Sequence, residues 1–275
     1  MRLFLLKVSV LISNATGADL SINVFERTLY QPYSTHISRS SSEVISGITQ
    51  KVNAATNVLI SVVTVITNSF LFLSIMATLI IIDPLIAILS MSTFGIAYLI
   101  TAAYTSNKLD QNSKTIAEKQ TFVVRSLQES LGAIRDVLLD GTQKIYKNLY
   151  SRSIRRLMKA SGSNRFINQS PRYAMESLGM ILISVFIVTI FIRDGGIATA
   201  LPIIGVLGLG AQRLLPIMQQ IYGNWSVVIG SKASLIDVID LLNQPLPKKK
   251  NPKKESSKFN EAIVLENIGF SYDIN

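Results

Sequence analysis

The sequence predicts an all-α membrane protein whose helices continue well beyond the bilayer, and three observations carry that expectation. First, 48% of the 275 residues are hydrophobic and only 16% are charged, which is not the profile of an ordinary soluble domain. Second, the charges are excluded from long runs: none falls between Val52 and Ile82, none between Pro84 and Asn107, and none between Ser177 and Ile192. Third, the stretch between the second and third runs is strongly basic and keeps a helical apolar period.

The elements follow in order. Val52–Ile82 and Pro84–Asn107 each exceed the roughly 20 residues that cross a hydrocarbon core as helix. Between them Asp83-Pro84 is a tight break, Asp as N-cap and Pro at the first helical position, so the two form a hairpin. A second hairpin is expected from 173–193 and 197–217, turning at Arg193-Asp-Gly-Gly196, with Arg213 as the one charge between Gly195 and Ser231. The start of the chain is open to two readings. Arg2, an apolar centre and Ala15-Thr-Gly17 match a signal peptide, while Lys7 inside the apolar stretch favours a span over about 3–25 whose upstream partner is absent.

Net charge is +10, and its distribution gives sidedness. Lys108–Arg172 holds thirteen Lys/Arg against five Asp/Glu, and Lys248–Lys258 adds six lysines against one glutamate. The turns at Asp83 and Arg193-Asp194 have almost no excess. The positive-inside rule places the basic stretches in the cytoplasm of a multi-pass protein of the cell (inner) membrane. Because the charge tracks sidedness rather than forming an aromatic-interleaved patch, nucleic acid is not an expected partner. Zero cysteines exclude disulfides and thiolate sites, and the single His36 excludes a histidine cluster, so no metal site is expected.

Leu109, Ile116, Val123, Leu127 and Leu131 on one arm, and Ile145, Leu149, Ile154, Leu157 and Met158 on the other, recur at helical spacing. These arms would reach roughly 35 to 45 Å past the bilayer. Gly132 and Gly141 bracket a tip segment whose Ala133, Ile134, Val137 and Leu138 form an apolar stripe in need of a partner. Tyr30–Glu43, interrupted by Pro32 and a serine run, predicts a second cytoplasmic turn. Gln244–Lys254 reads as a Pro/Lys linker, within a linker region of 244–260. Beyond it, alternating Ile263, Leu265, Ile268 and Phe270 predict the first strand of a soluble domain over 261–275, of which too little follows to fold.

With these pieces in place the chain resembles a bacterial ABC exporter half-transporter, transmembrane domain first and nucleotide-binding domain second, here truncated at both ends. Residues 31–53 are similar to the first intracellular loop of that family: Pro32 and Glu43 match, whereas Thr35-His36, Ser42 and Lys51 stand where aromatics, glycine and aspartate are commoner. Residues 129–146 are similar to the second loop, with Glu129, Gly132, Ile134, Val137 and Gly141 in place, and Gly269-Phe-Ser-Tyr272 to the opening strand of the nucleotide-binding domain. Ser170-Pro-Arg172-Tyr and Gln212-Arg213-Leu-Leu-Pro216 are most similar to the lipid-linked oligosaccharide flippase branch.

The resemblance implies a type-1 transmembrane domain over 1–243 that lacks its first helix, and a dimer with itself or with a related half-transporter. Transport of a lipid or lipid-linked oligosaccharide would be driven by ATP and Mg held on a nucleotide-binding domain that this chain lacks or meets in trans. It assigns Arg213 and Arg172 to a substrate cavity and Ile134, Arg135, Asp136, His36 and Arg39 to coupling with that domain. Tyr272 would stack on adenine.

From the residues alone, Arg213 lies about 25 Å of helix from the turn at Gly196, where a charge is costly unless it meets water or a partner. Its planar fork suits phosphate oxygens, but snorkelling to the headgroups is equally open. Arg172 lies at the inner interface, where pairing with Glu176 one turn on is the plainer reading. No Gly-x-x-x-x-Gly-Lys-[Ser/Thr] occurs, so the chain by itself has no phosphate loop and is not expected to hydrolyse ATP. Gly205-Val-Leu-Gly208-Leu-Gly210 lies inside an apolar span and reads as helix packing. An inactive membrane remnant, or a non-catalytic partner of a full-length homologue, is the alternative. A secondary transporter would call for paired intramembrane carboxylates, and only Asp83 and Glu176 approach the spans.

Overall fold

A computed structural model describes residues 2–82, 84–193, 197–244, 262, 264 and 266–269, and the described chain is all-helical. Ten helical segments follow one another among the described residues: α1 (Arg2–Leu29), α2 (Tyr33–Ser38), α3 (Ser41–Ser46), a π turn (Gly47–Lys51), α4 (Val52–Ile82), α5 (Pro84–Gly132), α6 (Ile134–Leu139), α7 (Gln143–Arg193), α8 (Ile197–Gly230) and α9 (Lys232–Leu242). Two stretches, Lys7–Leu29 and Ser41–Ile81, are long and apolar enough to cross a membrane. The expected spans 84–107, 173–193 and 197–217 each lie within one continuous helix, α5, α7 and α8 respectively. Of the expected strand, Ile263, Leu265, Phe270 and Tyr272 lie outside the described residues, and the described ones around them carry no regular structure.

The helix ends have local causes. α4 stops at Ile82 and α5 begins at Pro84, where a missing N–H costs nothing because first-turn donors have no intrahelical partner. Arg39 (φ −114°, ψ 137°) and Ser40 (φ −73°, ψ 129°) are extended and separate α2 from α3. α6 ends in a Schellman motif. The Thr142 N–H reaches the Val137 carbonyl at 3.1 Å, and Gly141 takes φ +65°, a conformation that costs glycine little. That cap reverses the chain from α5 into α7.

α5 and α7, 49 and 51 residues long, form the most extensive packing pair, and α8 lies in contact with both as well as with α4. Much of this packing is stitched by amides. Asn112 Nδ2 donates to Asn164 Oδ1 at 2.8 Å, Asn164 Nδ2 to the Gly230 carbonyl at 3.3 Å, and Asn168 Nδ2 to the Gly223 carbonyl at 2.8 Å. Both α8 partners are glycines because the asparagines occupy the space of a side chain: a Cβ at Gly230 would lie 2.7 Å from Asn164 Nδ2. Toward α4, Gln220 of α8 accepts from Asn68 Nδ2 at 3.0 Å.

Pro171 sits inside α7 and has no N–H to give the Ile167 carbonyl four residues back. Tyr222 of α8 supplies the missing donor, its hydroxyl reaching Ile167 O at 3.4 Å and Thr105 Oγ1 of α5 at 3.1 Å. Its ring packs 5.6 Å from Tyr98 and 5.7 Å from Trp225, closing a buried cluster with Met175.

α9 fills the wedge between α1 and α4, where Val24, Val52, Ala55, Val238 and Leu241 are buried together. Its first turn is capped from another helix: Ser113 Oγ of α5 accepts the Ala233 N–H at 2.8 Å, satisfying a donor that Ser231 leaves free. α1 meets α4 closely at Gly17, where a Cβ would collide with Thr56 Oγ1.

Because Tyr222 replaces the bond that Pro171 removes, the two substitutions are coupled. Tyr222→Phe in detergent-solubilised protein is expected to cost about 0.5–1.5 kcal/mol of unfolding free energy. In a Pro171→Ala background the cost should fall, because an alanine there carries the N–H that restores the helical bond to Ile167. A double-mutant cycle on denaturant unfolding measures the coupling, and strict additivity would show that the hydroxyl does not serve that carbonyl. Separately, Gly230→Val drives side-chain atoms into the Asn164 amide and is expected to destabilise by about 1–3 kcal/mol, read in the same assay.

Candidate functional site

The residues expected to meet a nucleotide-binding domain fall on two separate surfaces. Ile134, Arg135 and Asp136 occupy α6, the short helix joining the two longest helices, and all three side chains are exposed. α6 is seated by Val137, which is 5% exposed, so Ile134, Leu138 and Leu139 are turned outward, with Leu139 73% exposed. An apolar ledge of this kind, carried at the end of two long helices, offers a partner surface area without any core of its own.

His36 and Arg39 lie on the second surface. His36 is exposed on α2, and Arg39, half-buried, follows it. Arg39 sends Nη2 at 2.8 Å and Nε at 3.2 Å to a single oxygen of Glu43, which anchors α3 against the preceding turn. The two residues border a cleft of about 180 Å³ together with Thr35 and the side chain of Gln244. This surface does not reach as far as α6. α3 touches α5 through Ser46 Oγ and Thr121 Oγ1, 3.0 Å apart, and Thr121 precedes the end of α5 at Gly132 by eleven residues, about 17 Å of helix.

Arg213 is exposed on α8, and no carboxylate among the described residues pairs with it. Leu214 and Ile217 on the same turns are buried, so Arg213 and Pro216 project from the face turned away from the core. Arg172 is held differently. Its Nε donates to Glu176 Oε1 at 2.7 Å, the i,i+4 pairing that the plainer sequence reading gives it, and that hydrogen bond holds the guanidinium above its already high ordinary value. Arg172 and Arg213 are therefore in unlike settings, one engaged and one available. Tyr272 lies outside the described residues.

Sequence reasoning passed over two groups that the structure makes prominent. Lys51, noted only as a departure from a family position, is 4% exposed and ion-paired at 2.5 Å with Asp237, 186 positions away. A cavity of about 480 Å³ opens beside the pair, bordered by α3, α5 and α9. Asn164 and Asn168 line a second polar cavity of about 330 Å³ against α8. The available signal was local: a lone lysine at the head of a charge-free run, and asparagines four apart on a helix. Neither signal names its partner.

Compared with known protein families and with curated proteins, the chain matches none.

The Arg172–Glu176 pair is exposed on both sides, and such pairs contribute little to stability. Arg172→Ala is expected to shift the thermal midpoint by no more than about 2 °C. Differential scanning fluorimetry of the two proteins measures it, and a larger fall would mean that Arg172 carries packing beyond its ion pair.

Proposed function

We propose that the chain is the transmembrane part of an ATP-driven ABC-type exporter that moves an amphiphile with an anionic headgroup, a lipid or lipid-linked oligosaccharide, across the cytoplasmic membrane. The observation that carries the reading is the α5–α6–α7 unit. Two helices of about 50 residues each join a charge-free run to a basic arm, α5 leaving its run and α7 leading into one. They end on a capped six-residue helix with an exposed apolar face. A helix of that length extends roughly 75 Å, well over twice the hydrocarbon core, so its outer half stands in water. Such a lever suits a membrane domain that takes its work from a soluble engine docked at the tip.

Three further features support it. Phe70, Ile81 and Leu99, within the charge-free runs of α4 and α5, are exposed and apolar, as side chains facing lipid would be. The basic excess lies on the arm side of the runs. Arg213 stands exposed within the inner part of the expected span, where a phosphate oxygen would be a fitting partner for its fork. The mechanism that goes with the reading is alternating access: closure of paired nucleotide-binding domains on ATP would move the arms and turn the cavity outward. ATP and Mg would be held by that domain and not by the residues described here.

Two measurements test the proposal. The chain has no cysteine, so a single Arg135→Cys substitution gives a clean topology probe. In intact cells it should resist a membrane-impermeant maleimide and react once the membrane is permeabilised. Labelling in intact cells would place α6 outside and end the exporter reading. For the cavity, the purified chain should bind a fluorescent polyprenyl diphosphate, and Arg213→Ala should weaken binding about tenfold, the value of one desolvated charge-assisted contact. Equal binding by the two proteins would remove Arg213 from the substrate path.

A further inference from the structure

The π turn at Gly47–Lys51 and the buried ion pair at its end belong to one device. Lys51 is nearly sealed from water, and an ammonium in that position is tolerated only with its partner in place. The partner, Asp237, belongs to α9, the last helix before the Pro/Lys linker. A second tether leaves the same short segment: Ser46, 0% exposed, meets Thr121 of α5 at 3.0 Å. Ser46 and Lys51 are five positions apart. In an α-helix five steps of about 100° would point them about 140° away from each other.

The π closure, in which the Val52 N–H bonds to the Gly47 carbonyl, takes up one extra residue. It leaves Lys51 at the edge of the cavity that α5 and α9 share, facing Asp237, with Ser46 still on Thr121. Both tethers are therefore satisfied together in the π register. Gly47 adds a steric condition, because a Cβ there would fall 2.5 Å from Leu241 Cδ1, so α9 rests on bare backbone.

The cavity beside the pair is a poor ligand site. Arg39 is paired with Glu43, Lys114 with Asp110 and Lys51 with Asp237, which leaves no lining cation unpaired. The far end of α9 is held lightly. Arg27 Nη1 donates to the Gln244 carbonyl at 3.2 Å, while the buried Gln244 side-chain amide meets no hydrogen-bond partner among the described residues.

We propose that the Gly47–Lys51 turn and the Lys51–Asp237 pair form a two-position latch that holds α9, and the chain after it, against the first cytoplasmic turn. In the latched position the turn is π-wound and the pair is made. Rewinding to α-helix carries Lys51 about 100° around the helix axis relative to Ser46. The pair then breaks, Lys51 swings away from Asp237, and α9 is released. The latch concerns only how α9 is held, and it stands whatever the protein moves.

Hydrogen exchange on the full chain in nanodiscs tests it. Lys51→Met keeps the buried stem and removes the charge; deleting exposed Thr49 removes the residue that the π turn takes up, so that Ser46 and Lys51, now four apart, stay on one face of a plain α-helix and the unpaired register is lost. Lys51→Met should speed exchange across Lys232–Leu242 by about tenfold or more, whereas the deletion should leave α9 at least as protected as in the parent. The α5 and α7 arms should keep their protection in both. The latch is overturned if Lys51→Met leaves α9 within about twofold of the parent, or if the deletion releases α9. It is equally overturned if protection falls along the arms as well, which would make the pair a general structural tie. Should the deletion variant not fold, Lys51→Met decides alone: exchange at amides 48–52 must change with that of α9, and an unchanged turn separates the two.

Discussion

Everything that α5 and α7 hold in place depends on a handful of side-chain amides. Along the arms the buried apolar seam is thin, made by Leu109, Ala117, Val123, Val124, Leu157 and Ala160, while Leu127, Leu131, Ile145 and Leu149 are all exposed. Apolar contact between such helices fixes neither rotation nor axial register. Asn112, Asn164 and Asn168 do, because each bond is directional and two of them end on backbone carbonyls of α8 that cannot slide independently of the helix. Hydrogen bonds of this kind contribute a net of about 0.5–1.5 kcal/mol each. That is small in stability but sufficient to select one register among several of similar packing. The glycines opposite them complete the selection, since any Cβ at Gly230 displaces the amide.

With register fixed, the arms can position a surface far from the core. α6 is held by one buried valine and a glycine-closed cap, and it presents its remaining apolar side chains outward. A displacement imposed there reaches the far halves of α5 and α7 because each is one unbroken helix. Pro171 is where such a lever would be expected to bend. Tyr222 takes up the carbonyl that the proline leaves free and ties it to α5 through Thr105, so the weak point is spanned by a bond from a third helix. Proline in a long helix is thereby kept without an orphaned polar group.

The contrast between what the sequence displays and what it conceals follows the same division. Charge-free runs, Pro84 at a helix start and Gly141 at a helix end act within a few residues of themselves, and periodicity reads them directly. The asparagines do not. In a stretch such as Ser161-Gly-Ser-Asn-Arg-Phe-Ile-Asn168 they look like ordinary surface polarity, because their meaning lies in Gly223 and Gly230, more than fifty positions on. Lys51 is concealed for a related reason: a lysine heading a span reads as an interfacial charge, and its burial is visible only once α9 is folded back against it. The π turn is less legible still, since no residue type prefers it and it arises from two tethers that must be met at once. Arg172 and Arg213 show the limit from the other side. Both read as basic residues near a membrane edge, and only geometry separates the engaged one from the available one.

α9 is where these long-range constraints meet. It is an eleven-residue helix, too short to hold its shape in water unaided. Its first turn is capped by Ser113 of α5, its middle is charge-paired to the head of α4, and its apolar face is buried between α1 and α4. No single one of these contacts comes from a sequence neighbour. A helix stabilised entirely by others reports their relative positions: any motion that separates α5 from the α1–α4 pair must choose which of its attachments to keep. The apolar face is spread over several side chains and gives way gradually, whereas the cap and the ion pair are each made or broken as a unit. The polar attachments therefore set where α9 switches, and the hydrophobic ones set how firmly it rests in either place.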